Sequence, residues 1–407
     1  MILIKPGGSR GAWTTAHSIG NGSPLGVSTQ LTRRQLVQNG VLGVGALAVG
    51  RLGPLRATAR ASDEISFWAT GTLDIGDNGW RTIANDSGVK VEFTDNGNDP
   101  GPVVAKLAAG NANDIYDVGG LQGGSEKELA RRGLIAPWDL SQIPNYASVW
   151  QWAKDSPYLT HDGKAYGIPT VINADSMIAI SDKAGSVDSY GVIFDPKLKG
   201  KTAMEDAWIN SVIFTAIYLK NSENAKIADP GNLTADELGL VMEFLIKHKR
   251  DGQFRTFWNG WEQGLQLVAN QEVWVMTGWE PIVYAARMRG VDCYYAMPKE
   301  GYEGWGNNTI LLKGAVVRGR TKAAHQLVNA LLAGFYGCKL GLLRGYVVPT
   351  DNNVAYATAH ANAFDPAAVR KLAEHVKQKF AGKVYWQNTR PDNFQLYETW
   401  WQRLRNA

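Results

Sequence analysis

The chain is predicted to fold as an α/β protein built from two facing units, and three observations carry that prediction. Short apolar strands alternate with helical segments from Asp63 onward. The pattern starts again near Trp261, with no low-complexity tether between the two stretches. The chain has 407 residues, 44% of them hydrophobic and 20% charged, which is enough for two packed cores.

In the first unit, Glu64 to Ala69 reads as a β-branched and aromatic strand. Gly79 to Asp86 reads as a helix stopped at Gly88, and Val89 to Phe93 alternates with period two. Pro102 to Ala109 forms a helix closed by Gly110. Ile115 to Val118 is predicted as a third strand ending at Gly119-Gly120. Ser125 to Arg132 is a helix, with Ser125 and Glu128 at capping-box spacing. Strands separated by helices imply a parallel sheet with right-handed crossovers.

The second unit reads the same way. Trp261 to Ala269 is helical, and Glu272 to Trp279 is an apolar strand suited to a doubly covered sheet. Pro281 to Arg289 is a helix opened by proline and stopped by Gly290. Val291 to Met297 is the next strand, and Ala323 to Leu332 is a long apolar helix. An apolar stretch from Tyr166-Gly167-Ile168-Pro169 to Ile180 links the units. Crossings between them are expected near Pro169–Asp175 and Met297–Ile310. Ligands of open parallel sheets sit beyond the carboxyl ends of the strands. Those ends fall at Trp68-Ala69-Thr70, Gly119 to Gln122 and Gly278-Trp279-Glu280.

The net charge of +4 hides an uneven distribution. Residues 1–61 carry seven basic and no acidic residues, which leaves 35 basic against 38 acidic in the rest, a net of −3. That body offers no electrostatic footprint for nucleic acid. Within 1–61, Arg33-Arg34 precedes an apolar Gly40 to Gly50 run and the small-residue sequence Ala59-Arg60-Ala61. This order reads as a twin-arginine export signal, with the mature chain starting near Ser62. Gly43, Gly45 and Gly50 imitate a dinucleotide fingerprint, but no strand precedes them. Two cysteines exclude a disulfide framework, and buried free thiols are expected at Cys293 and Cys338. The six histidines show no metal-ligand spacing. The phosphate loop, the zinc-protease helix and the nucleophile elbow are all missing from the sequence. No catalytic residue, metal or cofactor is therefore expected.

Several stretches resemble the bacterial extracellular solute-binding proteins of the spermidine/putrescine-binding branch. They are Ile65-Ser66-Phe67-Trp68, Tyr166-Gly167-Ile168-Pro169, Asn270-Gln271-Glu272-Val273 leading to Trp279, and Met297-Pro298-Lys299-Glu300-Gly301 followed by Trp305. The resemblance implies a two-lobed periplasmic-binding-protein fold of the second type. It implies a periplasmic monomer that captures a small cationic solute, such as a polyamine, for an inner-membrane ABC transporter permease. Residues 62–172 with 298–345 are expected in one lobe, and 173–297 with 346–407 in the other.

By the same resemblance, Trp279 and Trp305 wall the ligand and Asp206 meets an amine. The branch's second and third carboxylates are replaced here by Ile209 and Asn307. That departure leaves open a sugar, an amino-acid conjugate or an opine-like ligand. A periplasmic enzyme or sensor subunit on the same fold is a further alternative. Trp68 and Glu280, at strand ends, complete the expected ligand set of Trp68, Asp206, Trp279, Glu280, Trp305 and Asn307. A tryptophan face attracts a cation, a carboxylate bonds an ammonium, and an asparagine both donates and accepts. Asp175 is read as facing the cleft or as a solvated loop residue, with the loop reading favoured, and at least one of Trp258 and Trp261 as core.

Overall fold

The computed structural model describes residues 64–97 and 100–407. The twin-arginine pair and the cleavage sequence lie outside the described residues. One continuous sheet runs in the order Lys90–Asp95, Glu64–Ala69, Val118–Gln122, Tyr302–Leu312, Gly167–Ile180, Val275–Gly278, Thr202–Glu205, Phe254–Trp258. The three strands at each end are parallel, as expected at the first end. At the second, the parallel partners are Thr202–Glu205 and Phe254–Trp258, and the expected strand at Val291 to Met297 is Cys293–Tyr295, paired antiparallel with Gly167–Ile180. The two in the middle run antiparallel to their neighbours.

The strand Gly167–Ile180 belongs to both halves. Gly167 to Asp175 pairs with Tyr302–Leu312, and Ser176 to Ala179 pairs with Val275–Gly278. All 14 of its residues are buried. Ile168, Thr170, Val171 and Ile172 favour the pleated conformation. Pro169 has no N–H to donate and sits at a register shift, where a bulge tolerates it. Thr170 fills the irregularity: its hydroxyl donates to the Asn307 carbonyl at 3.1 Å and contacts the Thr309 hydroxyl at 2.6 Å.

Two main cores flank the crossing strands. Ile65, Phe67, Leu73 and Ile83 pack with Leu327, Leu331 and Tyr336. Met204, Ile213 and Phe214 pack with Val241, Leu245 and Trp401. The residues after 345, expected in the second lobe, divide between these cores. Val347, Val348, Ala373 and Val376 join the first, whereas Tyr397, Trp401 and Leu404 join the second. Periodicity alone could not reveal that division, because both segments are helical. Cys293 and Cys338 are free and buried. Trp258 is fully buried and Trp261 exposed.

Three local readings need correction. The third strand is Val118–Gln122, and Ile115 ends a short helix, Asn111–Ile115. Gly119 and Gly120 do not stop that strand; they let it pack closely. A Cβ on Gly120 would lie 2.4 Å from Leu73 and 2.7 Å from Ala69. Ser125 makes no cap hydrogen bond to its helix, because its hydroxyl contacts the Thr389 hydroxyl at 3.0 Å. Glu300, in the Pro-Lys-Glu-Gly block, is buried and accepts hydrogen bonds from Ser189 and Ser222, so that block is structural.

Asp117, just before the third strand, is the ionic lock of the first half. Its side chain is fully buried, with Arg318 at 2.6 Å and Arg320 at 2.7 Å, and it also accepts from the Ser66 backbone at 3.1 Å. Asp117→Ala removes the carboxylate from both guanidiniums and from that N–H, leaving Arg318 with its bonds to the Asn113 and Tyr116 carbonyls. It should cost about 3–5 kcal/mol, read as a lower thermal and urea midpoint; an unchanged midpoint would remove Asp117 from the stabilising set.

Candidate functional site

A cleft of about 340 Å³ opens beyond the carboxyl ends of Val118–Gln122, Thr202–Glu205 and Val275–Gly278. The two crossing strands form its floor. Alternation along Tyr302–Leu312 sends Glu303, Trp305 and Asn307 to one face. Asp175 stands opposite Glu303 on the neighbouring strand. Trp305 Nε1 donates to Asp175 Oδ2 at 2.8 Å, and Tyr346 meets the Trp305 ring edge-on at 5.2 Å.

The second half supplies the opposing wall. Trp279 follows the last residue of its strand and is held edge-to-face on buried Trp258 at 5.1 Å. Glu205, the last residue of Thr202–Glu205, accepts from Asn210 Nδ2 and from Trp279. Asp206 Oδ1 accepts from Trp401 Nε1 at 3.1 Å and Arg405 Nε at 2.9 Å. Gln387 arrives from the C-terminal segment. Its Nε2 donates to Glu303 Oε1 at 2.9 Å and to Asn210 Oδ1. Two buried acceptors of this lining, Asn307 Oδ1 and Gln387 Oε1, have no hydrogen-bond partner among the described residues.

The carboxyl groups are shifted towards the protonated form. Burial pushes Asp175 up to about 7, although Lys379 and the Trp305 bond pull the other way. Burial pushes Glu205 up to about 8 against the Asn210 bond, and the charge of Asp175 adds to the rise. Glu303 is driven well above the usual range by burial and then by Asp175 and Glu205. Each departure follows from desolvation and like charge.

Of the six expected ligand residues, Asp206, Trp279, Trp305 and Asn307 line the cleft. Trp68 does not. It lies beside Phe67 on an alternating strand and so faces the opposite side. There it stacks flat on Tyr116 at 5.0 Å beneath the Lys106 ammonium. Glu280 does not line it either. It opens the helix Glu280–Met288 and turns inward, with Oε2 at 2.7 Å from Lys379 and Oε1 at 2.7 Å from His375. Asp206 does not cap the following helix, whose N-cap is Ala207.

Sequence reasoning missed Asp175, Glu205, Tyr346 and Gln387. Asp175 is a buried strand residue, not a loop one; a lone carboxylate inside the apolar run Gly167–Ile180 was the available signal. Glu205 occupies the strand end, the position that the fold reserves for ligands. Tyr346 and Gln387 reach the cleft through tertiary packing and leave no local signal.

Behind the cleft, buried Lys379 donates to Glu280 at 2.7 Å, to Asn173 Oδ1 at 3.1 Å and to the Ala174 carbonyl at 2.9 Å. It therefore fixes both the residue after Trp279 and the residue before Asp175. Burial opposes ionisation of Glu280, but Lys379 and His375 outweigh it and hold the carboxyl at about 2. Its stabilising effect is present above the ordinary carboxylate range and is lost as pH falls towards 2. Lys379→Met should lower stability by about 3–5 kcal/mol near neutrality. It should also shrink the loss of thermal midpoint between pH 4.5 and 2. A variant with wild-type midpoints at both pH values would show that the pair is not stabilising.

Known proteins share this fold. Residues 82–334 match the family described as bacterial extracellular solute-binding protein. The spermidine/putrescine-binding periplasmic protein 1 of Haemophilus influenzae is 23% identical over 357 residues, covering 86% of this chain and 91% of that protein. The spermidine/putrescine ABC transporter substrate-binding protein PotD of Streptococcus pneumoniae has a TM-score of 0.66 at 11% identity, covering 84% of this chain and 98% of that one. The binding protein MotA of A. tumefaciens B6, solved with glucopine, has a TM-score of 0.62 at 15% identity, covering 84% and 99%. The fold is the two-lobed one of periplasmic binding proteins. Its cleft sits where the strand ends of both halves meet, and the chain belongs to the bacterial extracellular solute-binding proteins.

Proposed function

We propose that this protein is the periplasmic substrate-binding component of an ABC importer and that it captures a small cationic organic solute of the polyamine class. One observation carries the choice of ligand. Among the described residues, Asp175, Glu205, Asp206 and Glu398 line the cleft against a single cation, Arg405, which already holds Asp206. Trp279 and Trp305 give the cleft aromatic faces, which suit an alkyl ammonium through both area and quadrupole. The buried acceptors Asn307 Oδ1 and Gln387 Oε1 call for hydrogen-bond donors on the ligand, which the N–H groups of an ammonium supply. The relatives named for spermidine and putrescine support the same class.

A second reading rests on Arg405. Among the described residues only the Nε of its guanidinium has a hydrogen bond, which leaves its remaining donors for a carboxylate on an opine or amino-acid conjugate. A thermal-shift screen of putrescine, spermidine, opines and sugars separates the readings, because binding raises the midpoint with ligand concentration. Polyamines should stabilise the protein. Trp279→Ala and Trp305→Ala should each weaken binding by about 1–3 kcal/mol. Glu205→Gln should weaken a cation and leave a neutral ligand nearly unaffected. Stabilisation by sugars alone would refute the cationic reading.

Export is proposed to follow the twin-arginine route. Arg33→Lys with Arg34→Lys should leave the precursor in the cytoplasm, while the unaltered chain reaches the periplasm with an N-terminus near Ser62. Periplasmic protein that retains its leader would contradict this.

A further inference from the structure

Among the described residues, two carboxyl groups of the cleft floor, Asp175 and Glu205, and one buried just beneath it, Glu303, have no paired cation. Asp175, on the first crossing strand, accepts from Trp305 and Tyr295. Glu205 accepts from Asn210 and Trp279. Glu303, on the second crossing strand, accepts from Gln387. Every one of those donors is neutral. Gln387 Nε2 donates to both Glu303 Oε1 and Asn210 Oδ1, and Asn210 Nδ2 donates to Glu205, so two of the carboxyls share a network.

The charged groups nearby do not restore balance. Lys379 faces Asp175 from behind but is bound to Glu280 at 2.7 Å, and His375 holds the other Glu280 oxygen. Arg405 is engaged by Asp206 at the cleft mouth. Tyr190, Tyr295 and Tyr346 surround the floor, and burial keeps all three phenols protonated. Asp175 is 5% and Glu303 1% exposed, so neither can rely on water to carry a full charge.

On the reading that the ligand is a cation, we infer that its capture is an exchange: the entering ammonium displaces protons held among Asp175, Glu205 and Glu303, and these protons leave to solvent. No bond to carbon changes. Each released proton leaves one carboxylate whose negative charge is balanced by the ligand. The upward shifts of Asp175 to about 7 and Glu205 to about 8 put the exchange within the neutral range, and burial drives Glu303 in the same direction. A polyamine amine titrates near 10, as a lysine does, so the ligand keeps its own charge there.

The sign is fixed by linkage. Proton release on binding makes affinity rise with pH, by about tenfold per pH unit for each proton released. Calorimetric titration of the full chain with putrescine and with spermidine, from pH 6 to 8 in buffers of different ionisation enthalpy, reads the proton count directly. Tighter binding at higher pH, with a buffer-dependent enthalpy, is expected. Glu205→Gln and Glu303→Gln should each flatten the pH slope, an effect that a packing defect would not produce. Binding that is flat with pH and independent of buffer would overturn the exchange while leaving the cationic reading intact.

If neither polyamine binds, the cationic reading fails. Carboxyl ¹³C titration of the ligand-free protein then decides the remainder. Three carboxyls titrating near or above neutrality would support stored protons, and titration of all of them at ordinary carboxylate values would overturn the inference.

Discussion

The first crossing strand imposes the constraint from which the site follows. Gly167–Ile180 must hydrogen-bond a strand of one half along its first part and a strand of the other half along its last part. Both faces are covered, so its residues are apolar or satisfied within the protein. A charged residue on such a strand is costly to bury. Asp175 is nevertheless there, at the position where the pairing changes from one half to the other. The residue that the fold accommodates least easily thus stands on the cleft floor, where both halves can reach a ligand.

The surrounding chemistry answers that cost in two layers. Facing the cleft, Trp305 and Tyr295 donate to the carboxyl without adding charge. Behind it, Lys379 supplies charge but spends most of it on Glu280. The same ammonium bonds the Ala174 carbonyl, so the backbone that presents Asp175 is tied to the helix that begins just after Trp279. Position is therefore set by a strong buried ion pair, whereas ligand complementarity is left to groups with neutral partners. Separating the two roles keeps the site preorganised without neutralising it.

The α/β architecture was legible because its signals are local. Period-two strands, glycine helix stops and a proline helix start appear in order along the chain, and the structure places them within a few residues of the expected bounds. Trp279, Trp305, Asp206 and Asn307 were legible because they adjoin strand ends or blocks shared with a known family. Trp68 and Glu280 failed because a position at a strand end does not say which way a side chain points. Trp68 faces the far side of its sheet and Glu280 turns into a helix start. Gln387 was invisible, since its place depends on a segment that returns after more than eighty residues to pair with Tyr302–Leu312.

The resemblance to the polyamine-binding branch places carboxylates at positions that carry Ile209 and Asn307 here. Judged by those positions alone, the cleft has lost charge and its ligand should have changed class. On the cationic reading proposed above the acidic groups are relocated and not lost, because Glu205 and Asp175 bring carboxyl groups to the lining from two other strands. What has changed is where the charge sits. It is concentrated on the floor between the halves, and a neutral amide occupies position 307. On the proposed cationic reading, an ammonium drawn to that floor would contact both halves at once, so the energy of binding would be available to hold them together.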